Sequence, residues 1–249
     1  MAAPADLDLP WTRSPVATRV REFLVCGVLG TAMDLYTRRE LSGHQHLDRL
    51  EGPVIFVANH NSHMDTPALL RALPKRWRRR TSVAAAVDYF YVKRRSAISA
   101  SLVFGTVPLD RSGGGLGSRS TAHLRRLFSE GRSLLMFAEG TRSHDGTVAA
   151  LKSGAAVLAA EHDLPIVPIF VSGTGEAMPR GTKWMNFKNG RPFAARHQIE
   201  IRFGEPIRPR AGEHRADVME RVRLFLAESG ATTEHGGAPA GRTPSRQPV

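Results

Sequence analysis

Pro53-Val54-Ile55-Phe56-Val57-Ala58-Asn59-His60-Asn61-Ser62-His63-Met64-Asp65-Thr66-Pro67-Ala68-Leu69-Leu70-Arg71-Ala72-Leu73 runs from an apolar segment through a polar turn into a helical pattern. Residues 53–58 carry no polar side chain and have the length of a buried strand. Residues 66–73 read as a helix. The turn between them holds His60 and Asp65, five positions apart at the mouth of that helix. A histidine with a carboxylate in reach of its second ring nitrogen is the minimum equipment for taking a proton from a hydroxyl.

Outward from this stretch the pattern repeats. Short apolar runs at 82–87, 106–109, 133–137, 166–171 and 198–203 read as strands. Helix-like segments at 96–104, 118–130 and 153–162 lie between several of them. A last one, 213–228, places Val218, Val222 and Phe225 at helical spacing. Alternating strands and helices predict an α/β fold, a mostly parallel sheet flanked by helices. Sites in such folds gather at the carboxyl ends of strands, and His60 and Asp65 lie just past one. Pro165 and Pro168 fit an edge strand.

Composition sets the boundaries. The chain has 249 residues, 41% of them hydrophobic and 23% charged, enough for one sizeable core. That core is expected over 41–230, after an N-terminal segment 1–40. Residues 231–249, rich in Gly, Pro, Thr and Ala, are expected to form a disordered tail. A single cysteine, Cys26, excludes an intramolecular disulfide and fits a reducing compartment. Residues 1–10 are acidic rather than basic, unlike a secretory signal.

The net charge of +12 favours an anionic partner: a phosphate-bearing lipid, a membrane surface or a nucleic acid. The apolar stretch 23–33 is shorter than the roughly 20 residues that cross a bilayer. Flanked by Arg19, Arg21, Arg38 and Arg39, it either lies in a membrane interface as an amphipathic helix or packs on the domain. Arg71, Lys75, Arg76, Arg78, Arg79 and Arg80 surround Trp77, and Lys93, Arg94 and Arg95 follow. A tryptophan in such a patch suits an anchor at the level of lipid headgroups. The alternative is a solvated face with a half-buried indole.

A His-Asp pair at this spacing is a weak signal on its own, since Asp65 in a surface turn also caps a helix. Three more segments add to it. Gly105-Thr106-Val107-Pro108-Leu109-Asp110-Arg111 is a short strand ending in Asp-Arg before the glycine-rich loop 112–117. Phe137-Ala138-Glu139-Gly140-Thr141-Arg142-Ser143 is an apolar strand ending in a charged turn. Ile166-Val167-Pro168 starts a strand, preceded by Lys152 and Gly154. Read blandly, Arg111 pairs with a surface acid and Glu139 caps a helix. In a parallel sheet, however, Arg111 and Arg142 share the rim of His60, and two guanidinium groups beside a glycine-rich turn make a phosphate clamp.

In this order and spacing the blocks resemble the 1-acyl-sn-glycerol-3-phosphate acyltransferase family, the glycerophospholipid acyltransferases with an HX4D motif. Asn59 to Asp65 matches its first motif and Glu139 to Ser143 its third, while Gly105 to Arg111 resembles its second and Ile166-Val167-Pro168 its fourth. The match covers 52–204. Ala138 stands where the family usually has Pro, and Pro108-Leu109 where it often has Phe-Ile.

The resemblance implies transfer of a fatty acyl group from a thioester, acyl-coenzyme A or acyl carrier protein, to the hydroxyl of a lysophosphatidic-acid-like acceptor. Glycerol 3-phosphate or another alcohol would use the same residues. His60 is then the general base, and Asp65 fixes its tautomer. Arg111 and Arg142 hold the acceptor phosphate, and Glu139, Gly140 and Thr141 contact phosphate or glycerol. Backbone N–H groups near Gly140 are candidate donors to the developing oxyanion. No cofactor is expected beyond the acyl thioester. No metal is expected either, since His60, His63 and Asp65 lack zincin and zinc-ribbon spacing. The expected place is the cytoplasmic face of a membrane, peripheral or monotopic, docked through the N-terminal helix and the 71–80 basic patch.

Two other enzyme classes find no support: no G-x-S-x-G elbow marks an esterase, and no G-x-x-x-x-G-K-[ST] marks a P-loop. A non-catalytic module for nucleic acid or membrane fits the charge. Asp65, Asp110 and Glu139 inside the candidate site count against it, as do the sparse aromatics. No nucleic-acid partner is expected.

Overall fold

A computed structural model describes residues 4–110, 118–140, 148, 150–190 and 195–232. Its strands are β1 (Thr37–Ser42), β2 (Ile55–Ala58), β3 (Thr81–Ala86), β4 (Thr106–Leu109), β5 (Ser133–Phe137), β6 (Ile166–Ser172) and β7 (His197–Phe203). The longer helices are α1 (Pro15–Glu22), α2 (Leu29–Tyr36), α3 (Asp65–Ala72), α4 (Arg94–Phe104), α5 (Ser118–Ser129), α6 (Gly154–His162) and α7 (Arg215–Glu228). A π-helical segment, Phe23–Val28, joins α1 to α2.

All seven strands form one sheet in the order β1-β7-β6-β2-β5-β3-β4. From β6 to β4 every neighbouring pair is parallel. β7 runs antiparallel to β6, and β1 parallel to β7. The α/β fold with a mostly parallel sheet is therefore present, and each strand and helix expected from the sequence appears within two residues of its expected ends. β1 was not anticipated. Its residues, Thr37-Arg38-Arg39-Glu40-Leu41-Ser42, show no apolar alternation because the strand lies at the sheet edge with only Thr37 buried.

The sheet separates two cores by strand alternation. In β2, Phe56 and Ala58 face the core built with α3 and the N-terminal helices, through Leu69, Leu70, Val25 and Met33. Ile55 and Val57 face the core built with α5, α6 and α7, through Leu127, Leu158 and Val222. All four β2 residues are buried, which accounts for an uninterrupted apolar run.

β6 is an interior strand between β7 and β2, not the edge strand that its prolines suggested. The β6–β7 ladder begins at Ile169, and Ile166 bridges Ile207 separately. Pro168 falls at the break between these pairings, where no N–H is demanded of it. Its carbonyl accepts a hydrogen bond from Gly204 N at 2.8 Å. A Cβ on Gly204 would come within 2.8 Å of Pro168 Cγ, so only glycine lets the chain cross there.

The 71–80 patch also differs from the headgroup-anchor expectation. Trp77 is only 5% exposed and packs edge-on against Phe56, with ring centroids 5.9 Å apart. It is a core residue. Arg71 makes two hydrogen bonds to Asp34, at 2.8 and 2.6 Å, and Arg78 and Arg79 both donate to Glu22. These arginines tie the N-terminal helices to the domain. Among the described residues no helix is long and apolar enough to cross a membrane.

At the carboxyl end, Ala231 and Thr232 still belong to the packed structure. Ala231 is buried, and Thr232 O accepts from Val148 N at 2.7 Å. Residues 233–249 lie outside the described residues.

Candidate active site

The turn after β2 is bolted to β6 before it reaches α3. Asn59 Nδ2 donates to Val171 O at 2.8 Å, and Val171 N donates to Asn59 Oδ1 at 2.9 Å. A side-chain amide thus extends the β2–β6 ladder one step past Ala58. Asn61 Nδ2 donates to the same carbonyl at 3.0 Å, and Ser62 Oγ donates to Met178 O at 2.8 Å.

Asp65, the first residue of α3, is fully buried. A buried carboxylate is costly unless it is hydrogen-bonded. Its Oδ2 accepts from Asn61 N at 2.7 Å, from Ser62 N at 2.9 Å and from His60 Nδ1 at 2.8 Å. Its Oδ1 accepts a short hydrogen bond from Thr174 Oγ1. The amino-terminal end of α3 adds a favourable dipole for the negative charge. With Nδ1–H given to Asp65, His60 keeps the Nε2 lone pair for a substrate proton.

The imidazole is held from a second side. Its ring stacks on Phe137 at 3.9 Å between centroids and 18° between planes. His60 N donates to Glu139 Oε1 at 2.9 Å, and Glu139 is itself buried. Because β2 and β5 are parallel neighbours, their carboxyl ends bring His60, Phe137 and Glu139 together.

His60 borders a cavity of about 560 Å³ whose wall is mainly apolar, including Met33, Met64, Pro67, Val83, Phe104 and Phe137. Gly140 also lines it, at φ 71°. A Cβ there would approach Lys152 Cε and Nζ at 3.0 Å, a flexible side chain that can yield, so it is the left-handed backbone that calls for glycine. The N–H of Gly140 donates to Phe137 O at 3.1 Å, which commits it to the turn rather than to an oxyanion.

Of the residues singled out in the sequence, His60 and Asp65 are in direct contact, and Glu139 and Gly140 stand on the same rim. Arg111, Thr141 and Arg142 lie outside the described residues. Asp110 is at the exposed end of β4. Thr174 was missed. Its signal was the polar turn Ser172-Gly173-Thr174 after an apolar strand, the same kind of junction that marks Asn59 to Asp65. Phe137 reads in the sequence only as part of a strand, yet its ring packs face-on against the His60 imidazole.

A family model for acyltransferases matches residues 38–172, from β1 to the end of β6. The chain belongs to the acyltransferase family. Its match includes His60, Asp65, Glu139 and Gly140 but stops before Thr174. The acyltransferase is 27% identical over 154 residues to a chloroplastic 1-acyl-sn-glycerol-3-phosphate acyltransferase of Brassica napus, covering 59% of this chain and 41% of that protein. It is 31% identical over 149 residues to a chloroplastic enzyme of the same name from Arabidopsis thaliana, covering 57% and 38%. With the human alpha form it shares 30% over 136 residues, covering 54% and 46%. The chain thus spans less than half the length of these relatives. Its fold matches the crystal structure of the 1-acyl-sn-glycerophosphate acyltransferase PlsC from Thermotoga maritima, with a TM-score of 0.61 and 21% identity, over 89% of this chain and 83% of that one.

Proposed function

We propose that this acyltransferase moves a fatty acyl group from a thioester to the hydroxyl of a lysophosphatidic-acid-like acceptor, with His60 as general base. The observation that carries this reading is the His60 Nδ1–Asp65 Oδ2 contact of 2.8 Å beside an apolar cavity of about 560 Å³. An alcohol is a poor nucleophile at neutral pH, and the acyl chain needs an apolar place to lie.

In this reading the acceptor oxygen attacks the thioester carbonyl while its proton passes to His60 Nε2. Asp65 stabilises the imidazolium through Nδ1–H. The tetrahedral intermediate collapses, the C–S bond breaks, and the thiolate takes the proton from Nε2. The products are an ester and a free thiol, and the balance requires no further cofactor. The acceptor is itself the nucleophile, so no acyl-enzyme is needed. Arg111 and Arg142 are assigned to the acceptor phosphate on their motifs, with Glu139, Gly140 and Thr141 beside them. The donor is acyl-coenzyme A or acyl carrier protein.

The place of action in this reading is the cytoplasmic face of a membrane, held peripherally. Val16, Val20 and Phe23 are exposed at positions i, i+4 and i+7, one stripe of the helical N-terminal segment. The stripe supports interfacial docking of that segment.

The test is an acyl-transfer assay with one acyl-coenzyme A and a panel of acceptors, read by mass spectrometry. Lysophosphatidic acid, glycerol 3-phosphate and monoacylglycerol are the informative members. Ester formation confined to lysophosphatidic acid supports the reading. Thioester hydrolysis at the same rate without any acceptor would overturn it.

A further inference from the structure

A loop after β6, beyond the residues that match the family model, reaches the cavity beside His60. It is tied down at both ends. Ser62 Oγ, in the turn that carries His60, donates to Met178 O at 2.8 Å. Asn186 N donates to Ala177 O at 2.8 Å, and His197 Nε2 donates to Asn186 O at 3.1 Å. Between these ties Thr182 N donates to Pro179 O at 3.1 Å and closes a tight turn. Gly181 supplies its left-handed residue, at φ 84°. Arg180 lies in that turn and Lys183 directly after it; both are exposed and both line the cavity. Trp184 lines it beside them and is 48% exposed.

Among the described residues the cavity wall includes these two cations and no carboxylate. Residues 177–199 contain no acid, so the loop brings net positive charge to the site. Met33 and Val83, on the same wall, are buried. The cavity thus runs from a cationic mouth with an indole beside it to an apolar interior.

We propose that Arg180, Lys183 and Trp184 form the binding site for the nucleotide end of a coenzyme A thioester. The proposal deepens the acyl-transfer reading and rests on it. Phosphate is the chemistry that the cations recognise, and both substrates of that reading carry it. A lysophosphatidic-acid-like acceptor brings one phosphate, which the motifs assign to Arg111 and Arg142. A coenzyme A thioester brings phosphates together with an adenine, and an exposed indole is a stacking partner for a base. Acyl carrier protein presents a phosphodiester and acidic side chains but no base, so it has no use for Trp184. A thioester whose acyl chain lies in the apolar interior leaves its nucleotide at the mouth. The Ser62–Met178 tie joins this mouth to the turn of the base, which fixes donor and base in one frame.

The experiment compares the unaltered full chain with the double variant Arg180→Gln, Lys183→Gln and with Trp184→Ala, each shown to be folded by its unfolding transition. The donors are palmitoyl-coenzyme A, palmitoyl-pantetheine, which lacks the nucleotide, and palmitoyl-acyl carrier protein. Binding of adenosine 3′,5′-bisphosphate, the nucleotide end alone, is measured by calorimetry. The unaltered protein should prefer palmitoyl-coenzyme A over both other donors in kcat/KM. In the double variant the preference over palmitoyl-pantetheine should fall by about tenfold or more, through a raised donor KM. Trp184→Ala should bind the bisphosphate about fivefold or more weakly than the unaltered protein does. A change confined to the KM of lysophosphatidic acid overturns the proposal and gives the cations to the acceptor phosphate. An equal fall with both small thioesters, or no fall with either, also overturns it, as does a preference of the unaltered protein for acyl carrier protein. If no form transfers an acyl group, yet the bisphosphate binds and the double variant loses that binding, the acyl-transfer reading fails and the nucleotide site stands.

Discussion

Thr174 Oγ1 donates a hydrogen bond to Asp65 Oδ1 and so joins the turn after β6 to the first residue of α3. Both residues are fully buried. The bond occupies the carboxylate oxygen that His60 does not use, and it fixes the plane of the carboxylate that holds the His60 imidazole. Thr174→Val keeps the shape and removes the donor. It is expected to lower kcat roughly tenfold to a hundredfold with little change in the acceptor KM, because the loss falls on positioning the base. Thr174→Ser is expected to restore most of the rate. Steady-state kinetics on the three forms checks this, and a Thr174→Ser rate as low as that of Thr174→Val would remove the hydroxyl from the account.

Gly173, next to Thr174, is at φ 79°, and a Cβ there would lie 1.9 Å from Gln198 O. Backbone cannot yield as a flexible side chain does. Gly173→Ala is expected to destabilise the protein by about 2 kcal/mol or more and to lower activity as well, since the shift propagates to Thr174. Denaturant unfolding and kcat on one sample measure both.

His123 is buried, and its Nε2 donates to Pro108 O at 2.7 Å. Burial pushes its pKa below the usual histidine value and outweighs the opposing effect of the Pro108 carbonyl. Nδ1 is buried without a partner, so protonation would place a proton there with nothing to receive it. A depressed folded-state pKa means that this stability is present above about pH 6.5, the unfolded value, and is lost as pH falls below it. Thermal unfolding should therefore show a falling midpoint between about pH 7 and pH 5. His123→Gln should flatten that slope.

Two hydrogen bonds from Arg71 to Asp34 hold α2 against α3, and Arg71 Nη1 also donates to Gly30 O at 2.9 Å. The hydrogen bond from Arg71, outweighing desolvation, holds the Asp34 carboxyl below its ordinary range. This contribution is present above the unfolded carboxylate value, near pH 4, and is lost as pH falls through the lower folded value. α2 supplies Leu29 and Met33 to the cavity wall. Asp34→Asn should therefore raise hydrogen exchange across 23–36 at neutral pH while the strands of the sheet stay protected.

The parts of this molecule that were readable in the sequence are those whose physics is local. β2 is apolar throughout because both faces of an interior parallel strand are buried. The His60–Asp65 pair is a contact between positions five apart in one turn. Thr174 lies 109 residues from Asp65 in the chain, and nothing at Thr174 itself announces its partner. β1 was hidden because a solvated edge strand has no apolar signature, and Pro168 misled because a break in the β7 pairing, not a free edge, excuses its missing N–H. Trp77 is surrounded by cations in sequence, but in space only Arg76 of them lies over its ring, 5.5 Å from the centroid, while Arg71, Arg78 and Arg79 turn to Asp34 and Glu22 and the indole packs on Phe56.

The measurement that bears most directly on the central claim is the rate of ester formation from acyl-coenzyme A and lysophosphatidic acid in the unaltered protein and in His60→Ala, with both forms shown to be folded by their unfolding transitions. General-base catalysis contributes about 10²–10⁴-fold. A fall of at least about a hundredfold in kcat/KM, with unchanged unfolding, is the expected result. Turnover by His60→Ala within a few-fold of the unaltered protein would contradict His60 as the base.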